Sequence, residues 1–211
     1  MIERLLPPAV RSAHTVHDDW PAAVLHSAEA ALVAAAVPKR RNEFAAARHC
    51  ARIALAELGV PAGPILRGER GAPIWPAGIV GSLTHCAGYR AAAVARDTDV
   101  AGIGIDAEVH GPLPSGVLDL VSLPPERDHL ADLPPEIWWE RLLFSAKESV
   151  YKVWFPRTGE WLGFEEAALT FDPDAGTFTA RILRDGPFET LTGRYLVAGD
   201  LVLTAIVLDA G

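Results

Sequence analysis

Residues 44–52 read FAAARHCAR, and residues 144–152 read FSAKESVYK. Set one above the other, they pair Phe44 with Phe144, Ala46 with Ala146, Arg48 with Glu148 and Arg52 with Lys152. Each lies in an amphipathic stretch. Across residues 38–58, Phe44, Ala47, Ala51, Ala54, Leu55 and Leu58 recur at helical spacing, with Gly59 and Pro61 as stop signals. A second strong helix is predicted from about Pro135 to Trp154. At about 100° per residue, Arg41, Arg48 and Arg52 share one stripe of the first helix. Arg141, Glu148 and Lys152 share the matching stripe of the second. Strand-like segments follow both. The repeat points to a duplication into two similar lobes, although helix periodicity alone can imitate such a match.

Working outward, residues 63–78 (GPILRGERGAPIWPAG) are a loop rich in Gly and Pro. Residues 79–96 read as strand, turn and strand, with Gly88 in the turn, and 100–106 (VAGIGID) as a further strand. Residues 111–135 suggest a partly exposed loop or short helix around Leu113, Val117, Leu118, Leu120 and Val121. The stretches 168–182 and 194–208 suggest an antiparallel meander. The expected class is α/β in the α+β sense, divided into an N-terminal lobe, 1–105, and a C-terminal lobe, 106–211.

The 211 residues suffice for a sizeable core, and half of them are hydrophobic, which excludes a disordered chain. No apolar run approaches the roughly 20 residues of a membrane span, and the first residues show no signal-peptide core. Cys50 and Cys86 have no metal-ligand spacing and read as reduced thiols of a cytoplasmic protein. The net charge of −8 argues against a general nucleic-acid binder. Its distribution is uneven: 11 Lys/Arg against 9 Asp/Glu up to Ile105, then 8 against 18 from Asp106 onward. The first part suits an anionic ligand and the second a cation, while random surface charge explains either one alone.

Asp106 and Glu108 end a strand one residue apart, so both project to the same face and repel. A metal ion, a basic side chain or solvent would relieve them. With Glu148 they offer three carboxylates suited to Mg²⁺, and the lack of a His/Cys cluster argues against zinc. Glu148 and Lys152, at i and i+4, fit a surface salt bridge equally well. Arg40, Arg41, Arg48 and Arg52 gather near one helix, and Arg67 and Arg70 flank glycines in residues 67–71 (RGERG). Arginine forks suit phosphate oxygens, and so does an exposed basic face. Ser82, Thr84 and His85 close a strand, either as structural groups or as phosphate donors. No Walker loop, no GxGxxG after a strand and no serine or cysteine nucleophile motif is present. Jointly the residues describe a polyphosphate ligand, with basic anchors in the first lobe and a carboxylate–Mg²⁺ centre in the second.

GSLTHCAGY (81–89), GIGIDAE (102–108) and FSAKESVYK (144–152), in that order, resemble the 4′-phosphopantetheinyl transferases of the surfactin- and enterobactin-synthase type. The stretches KRRNEFAAARHCARIALAELG (39–59) and PILRGERGAPIWP (64–76) bring the resemblance closest to the actinobacterial carrier-activating members. It implies a pseudo-twofold fold with coenzyme A between the lobes. By similarity Asp106, Glu108 and Glu148 would hold Mg²⁺ or Mn²⁺, with the Ala107 backbone nearby. Arg40 and Arg48 match the ribose-phosphate anchors, and Arg67, Gly68, Glu69 and Arg70 the loop at the adenine end. Ser82, Thr84 and His85 match the phosphate-contacting turn, and Lys152 the residue reaching the pyrophosphate. Phe144 stands where many members have Trp, and Thr84 where many have Ser, which bears only on fine substrate preference.

The implied reaction moves the phosphopantetheine arm of coenzyme A to a serine of an apo acyl or peptidyl carrier protein and releases 3′,5′-ADP. Glu148 would be the base and Lys152 would neutralise phosphate charge. A Mg²⁺-dependent phosphohydrolase acting on coenzyme A or holo-carrier, and a non-catalytic coenzyme-A-binding module, are the rival readings. The expected protein is a cytoplasmic monomer without nucleic-acid or membrane partners. Its own acidity predicts apolar docking of the carrier, for which Leu118 and Val121 in residues 113–123 are candidates, unless they pack beneath a loop.

Overall fold

In a computed structural model, which describes residues 1–17, 25–61 and 63–211, the chain begins with a 3₁₀ turn (Ile2–Leu5) and a strand β1 (Arg11–Thr15). A short helix α1 (Ser27–Leu32) and the long helix α2 (Pro38–Glu57) follow. Pro38 sits in the first turn of α2, where a missing N–H costs nothing. Phe44, Ala47, Ala51, Ala54 and Leu55 form its buried face, as their spacing predicts. The small alanines let α2 lie close on the hairpin of β2 (Ile79–Cys86) and β3 (Tyr89–Arg96). Gly88 turns that hairpin with φ +74°. The sheet order is β1-β3-β2, antiparallel throughout.

The second lobe opens with β4 (Val100–Val109). Two helices, α3 (Val117–Val121) and α4 (Pro124–Ala131), fill the segment expected as loop or short helix. The helix α5 (Trp139–Thr158) follows, then β5 (Ala167–Asp172), β6 (Thr177–Ile182), β7 (Thr190–Ala198) and β8 (Leu201–Asp209). Its antiparallel sheet has the order β4-β8-β7-β6-β5. The two lobes repeat one connectivity. A strand precedes the long helix, and the last strand of the lobe lies beside it, giving β1-β3-β2 and β4-β8-β7; β5 and β6 extend the second copy.

Three features depart from the expectations. β1 was not anticipated: RSAHT lacks the alternation of a half-buried strand, yet it pairs with β3 along its whole length. Helix α5 starts at Trp139 rather than Pro135, because the Trp138 N–H is given to His110 Nε2 at 3.0 Å. It runs past Trp154 to Thr158, with Pro156 in its last turn and Gly159 (φ +72°) as its stop. The break between sheets falls in the turn between β3 and β4, so β4 belongs whole to the second sheet and crosses the expected boundary at 105/106.

Position along α5 is set by backbone contact. A Cβ on Gly104 of β4 would stand 2.1 Å from the Ser149 carbonyl oxygen, so only glycine lets helix and strand touch there. The buried Thr204 hydroxyl bonds Ser149 Oγ (2.7 Å) and Ser145 Oγ (3.0 Å), and donates to the Ser145 carbonyl at 3.0 Å. On the flank of α5, Lys147 and Glu126 pair at 2.8 Å, each 2% exposed. Lys147 also donates to the Phe164 carbonyl, and Glu126 accepts from the Leu123 and Leu169 N–H groups. No helix among the described residues is long and apolar enough to cross a membrane.

Candidate active site

The two sheets meet at β2 and β4 through side chains rather than a ladder. Ser82 Oγ accepts the Ile105 N–H (3.1 Å), and Thr84 Oγ1 accepts the Ala107 N–H (3.0 Å). Those donors point away from β8 because ladder bonds alternate along an antiparallel strand. Ser82 and Thr84 are buried in this seam. The seam floors a cleft of about 780 Å³ between the lobes. Arg40, Arg48, Arg67, Arg70, Ser82, Thr84, His85, Asp106, Glu108, Glu148 and Lys152 all line it. Gly68, Glu69 and Ala107 do not: Gly68 and Glu69 lie in the turn that carries Arg67 and Arg70, and the Ala107 methyl is in the core.

The basic end comes from α2 and the loop after it. Arg48 is buried, with its guanidinium 3.7 Å over the Phe44 ring and Nε on the Ile65 carbonyl at 3.4 Å. Burial, then the like charges of Arg67, Arg40 and Arg52, bring its pKa down to about 10, against an opposing pull from Glu29. Cations that crowd one another in this way favour an anion between them. Arg40 is held by Glu43 (3.3 Å) and by His85 Nε2 (2.8 Å). The stripe read from the sequence divides here. Arg52 turns away to the buried Glu29 (2.9 Å), which also accepts the Ile65 N–H, and Arg41 is outside the cleft. Arg70 is the one non-glycine among the described residues at positive φ (+50°), and it lies 5.2 Å from the Trp161 ring of the other lobe. Strain of this kind concentrates where a loop meets a ligand.

At the acidic end Asp106 is nearly buried and accepts from Thr84 (3.1 Å) and Lys152 (2.7 Å); its Oδ2 is buried without a partner. Lys152 therefore pairs across to the strand, not along its own helix with Glu148. Glu108 pairs with Arg141 at 3.2 Å. Burial, then the neighbouring Asp106 charge, push Glu108 up to about 7, against Arg141 and Lys152. Burial also raises Glu148, whose carboxylate makes no hydrogen bond or ion pair with the described residues. Among the described residues no three His, Cys, Asp or Glu side chains are closed into a metal-ligating cluster. Two partners went unrecognised in the sequence. Arg141 was signalled by its stripe with Glu148 and Lys152, whereas the Lys147–Glu126 pair left no local trace. Phe144, Tyr151 and Arg157 of α5 also line the cleft.

A model of the 4′-phosphopantetheinyl transferase N-terminal domain matches residues 28–95, and one of the 4′-phosphopantetheinyl transferase superfamily matches residues 102–206. The chain is 55% identical to the 4′-phosphopantetheinyl transferase Svp of Streptomyces mobaraensis, over all of this chain and 90% of that one.

The chain belongs to the 4′-phosphopantetheinyl transferases.

It is also 57% identical to PptT of Mycobacterium tuberculosis, covering 85% of this chain and 84% of the relative. With Npt of Nocardia iowensis the identity is 52%, over 98% and 99% of the two chains. As a phosphopantetheinyl transferase the protein is an enzyme that uses coenzyme A and transfers its phosphopantetheine to carrier proteins. Transfer accordingly takes precedence over the hydrolase and the non-catalytic module. The fold accords with this: a phosphopantetheinyl transferase with two lobes of like connectivity, mixing helices with antiparallel sheets.

One expectation is corrected. Val121 is buried and so offers no docking face, while Leu118 is half-buried against the core of the second lobe. Within residues 113–123, helix α3 spans only Val117–Val121 and leaves Leu120 exposed at 77%.

Proposed function

We propose that coenzyme A lies along the cleft with its ribose phosphate at Arg40 and Arg48, its adenine end by the 67–70 loop and its pyrophosphate towards Lys152 and His85. The N-terminal lobe anchors the coenzyme and the C-terminal lobe carries the reacting end. One observation supports this most: basic and carboxylate side chains from distant parts of the chain converge on one cleft, cations at one end and acids at the other. Asp106, Glu108 and Glu148 would hold a divalent cation, Mg²⁺ or Mn²⁺. The fit rests on oxygen-only donors, on the orphaned and buried Asp106 Oδ2 and on the unengaged Glu148. When bound, the cation screens the pyrophosphate and makes its phosphorus more electrophilic.

The protein's own groups do the remainder. The carrier serine oxygen forms a bond to the phosphorus next to pantetheine, the pyrophosphate bridge breaks, and 3′,5′-ADP leaves. Glu148, directly or through a water, accepts the serine proton; its raised pKa suits that role. Lys152 neutralises non-bridging oxygens. We further propose that the enzyme acts as a cytoplasmic monomer on apo acyl and peptidyl carriers, without nucleic-acid or membrane partners. The net charge of −8 and the free thiols Cys50 and Cys86 support this.

Incubation with coenzyme A, Mg²⁺ and a panel of apo-carriers, read by intact mass and by nucleotide analysis, tests the reaction. Holo-carrier and 3′,5′-ADP should appear together and only with all components present. Nucleotide release without carrier would mean hydrolysis instead.

A further inference from the structure

Two cations pair with the acids of the cleft, and they are held differently. Arg141 donates to Glu108 Oε2 at 3.2 Å, while its other nitrogens are committed to the carbonyls of Gly111 (3.2 Å) and Pro112 (2.5 Å). Three contacts on a rigid planar fork fix it in place. Lys152 has only the Asp106 carboxylate at 2.7 Å and the Ile105 carbonyl at 3.0 Å. Its flexible stem ends in a side chain 25% exposed to the cleft. A rotamer change suffices to move that ammonium, and none of comparable ease moves Arg141.

We infer that Lys152 has two stations and couples the loading of metal to the loading of coenzyme. This rests on the reading of Asp106 as a metal ligand and of Lys152 as a phosphate contact. At its first station, the one seen in the structure, Lys152 is the counter-ion of Asp106. It covers one carboxylate oxygen and leaves the buried Oδ2 without a partner. A divalent cation on Asp106 repels an ammonium lying 2.7 Å from the same carboxylate. That repulsion weakens the hold of Asp106 on Lys152, and the favourable destination for the ammonium is a pyrophosphate oxygen, present only when coenzyme A is bound. Each ligand thus lowers the cost of the other, and by linkage the two couplings are equal. Arg141 stays with Glu108 in both states as a brace.

The test uses Mn²⁺ as probe, titrated into the full-length protein by electron paramagnetic resonance of the free ion, with and without coenzyme A. The wild type should bind Mn²⁺ weakly alone and more tightly with coenzyme A. Lys152→Met keeps the stem and removes the ammonium. It should bind Mn²⁺ alone roughly tenfold more tightly than wild type, the worth of one charge-assisted contact, and lose most of the tightening by coenzyme A. Arg141→Met should show no such gain. If Lys152→Met binds Mn²⁺ alone no more tightly than wild type, the two-station role is overturned. Asp106→Asn separates the two failures. Loss of Mn²⁺ binding in that variant keeps the metal reading even if Lys152 fails its test, whereas unchanged binding overturns both. Should melting curves show Lys152→Met unfolded, Lys152→Gln carries the same comparison.

Discussion

Helices α2 and α5 occupy like places in the two lobes, yet they meet the cleft with opposite chemistry. From α2 come Arg40 and Arg48, one tied to Glu43 and His85 and the other stacked on Phe44. From α5 come Glu148, which makes no hydrogen bond or ion pair with the described residues, and Lys152, which reaches across to Asp106. The α2 end is rigid and cationic, a place to hold an anion. The α5 end combines an unengaged carboxylate with a movable ammonium, a place to move a proton and to answer changing charge. One topology thus supports two roles because helix–sheet packing fixes where side chains leave the helix and not what they carry.

Glu148→Gln should break the α5 side hardest. It keeps the shape and one oxygen but cannot take a proton, so kcat should fall by about 10²–10⁴-fold, with coenzyme A affinity changed little. A collapse of affinity in place of kcat would show Glu148 to be mainly a ligand.

Next to it, Lys147 is buried outside the cleft, and the contrast sharpens if it fails by unfolding rather than by chemistry. Lys147→Met leaves the Glu126 carboxylate buried without its ion, a loss of about 3–5 kcal/mol of stability. Urea denaturation measures it, and a loss well under 1 kcal/mol would mean that the pair does not hold α5.

On the α2 side, Arg48→Ala should weaken coenzyme A by about 1.5–3 kcal/mol, and 3′-dephospho-coenzyme A far less. Calorimetric titration of both ligands decides. Equal losses would move Arg48 away from the ribose phosphate.

The smallest effect is expected at His85. Burial, then the Arg40 charge, lower its pKa from the ordinary 6.5 to about 4, and solvent at its exposed edge screens part of this. The unfolded chain therefore binds the extra proton between those values. Stability from this source is complete above pH 6.5 and declines as the pH falls towards 4. From pH 7 to pH 5 the wild type should lose slightly more stability than His85→Gln in urea melts; parallel losses would place the acid sensitivity elsewhere.

Much of the molecule was legible in the sequence because it is written in local periodicity. Apolar spacing of 3–4 residues marked α2 and most of α5, Gly88 marked the hairpin, and the one-residue spacing of Asp106 and Glu108 put both acids on one face of β4. Partners across long loops were not written there. The sequence names Lys152 but offers Glu148 as its local partner; only the contact of Gly104 with the Ser149 carbonyl brings α5 down onto β4, where Asp106 becomes the nearer acid. It names Arg52 beside Arg48, but the buried Glu29 takes Arg52 out of the cleft. It names Ser82 and Thr84 as donors, whereas the unladdered N–H groups of β4 draw their hydroxyls into the seam. It leaves Val121 free to be surface, whereas burial settles it as core. Local backbone preference acts over a few residues and therefore shows in the chain. The choice among ion-pair and hydrogen-bond partners depends on distances fixed only when the two sheets close against each other.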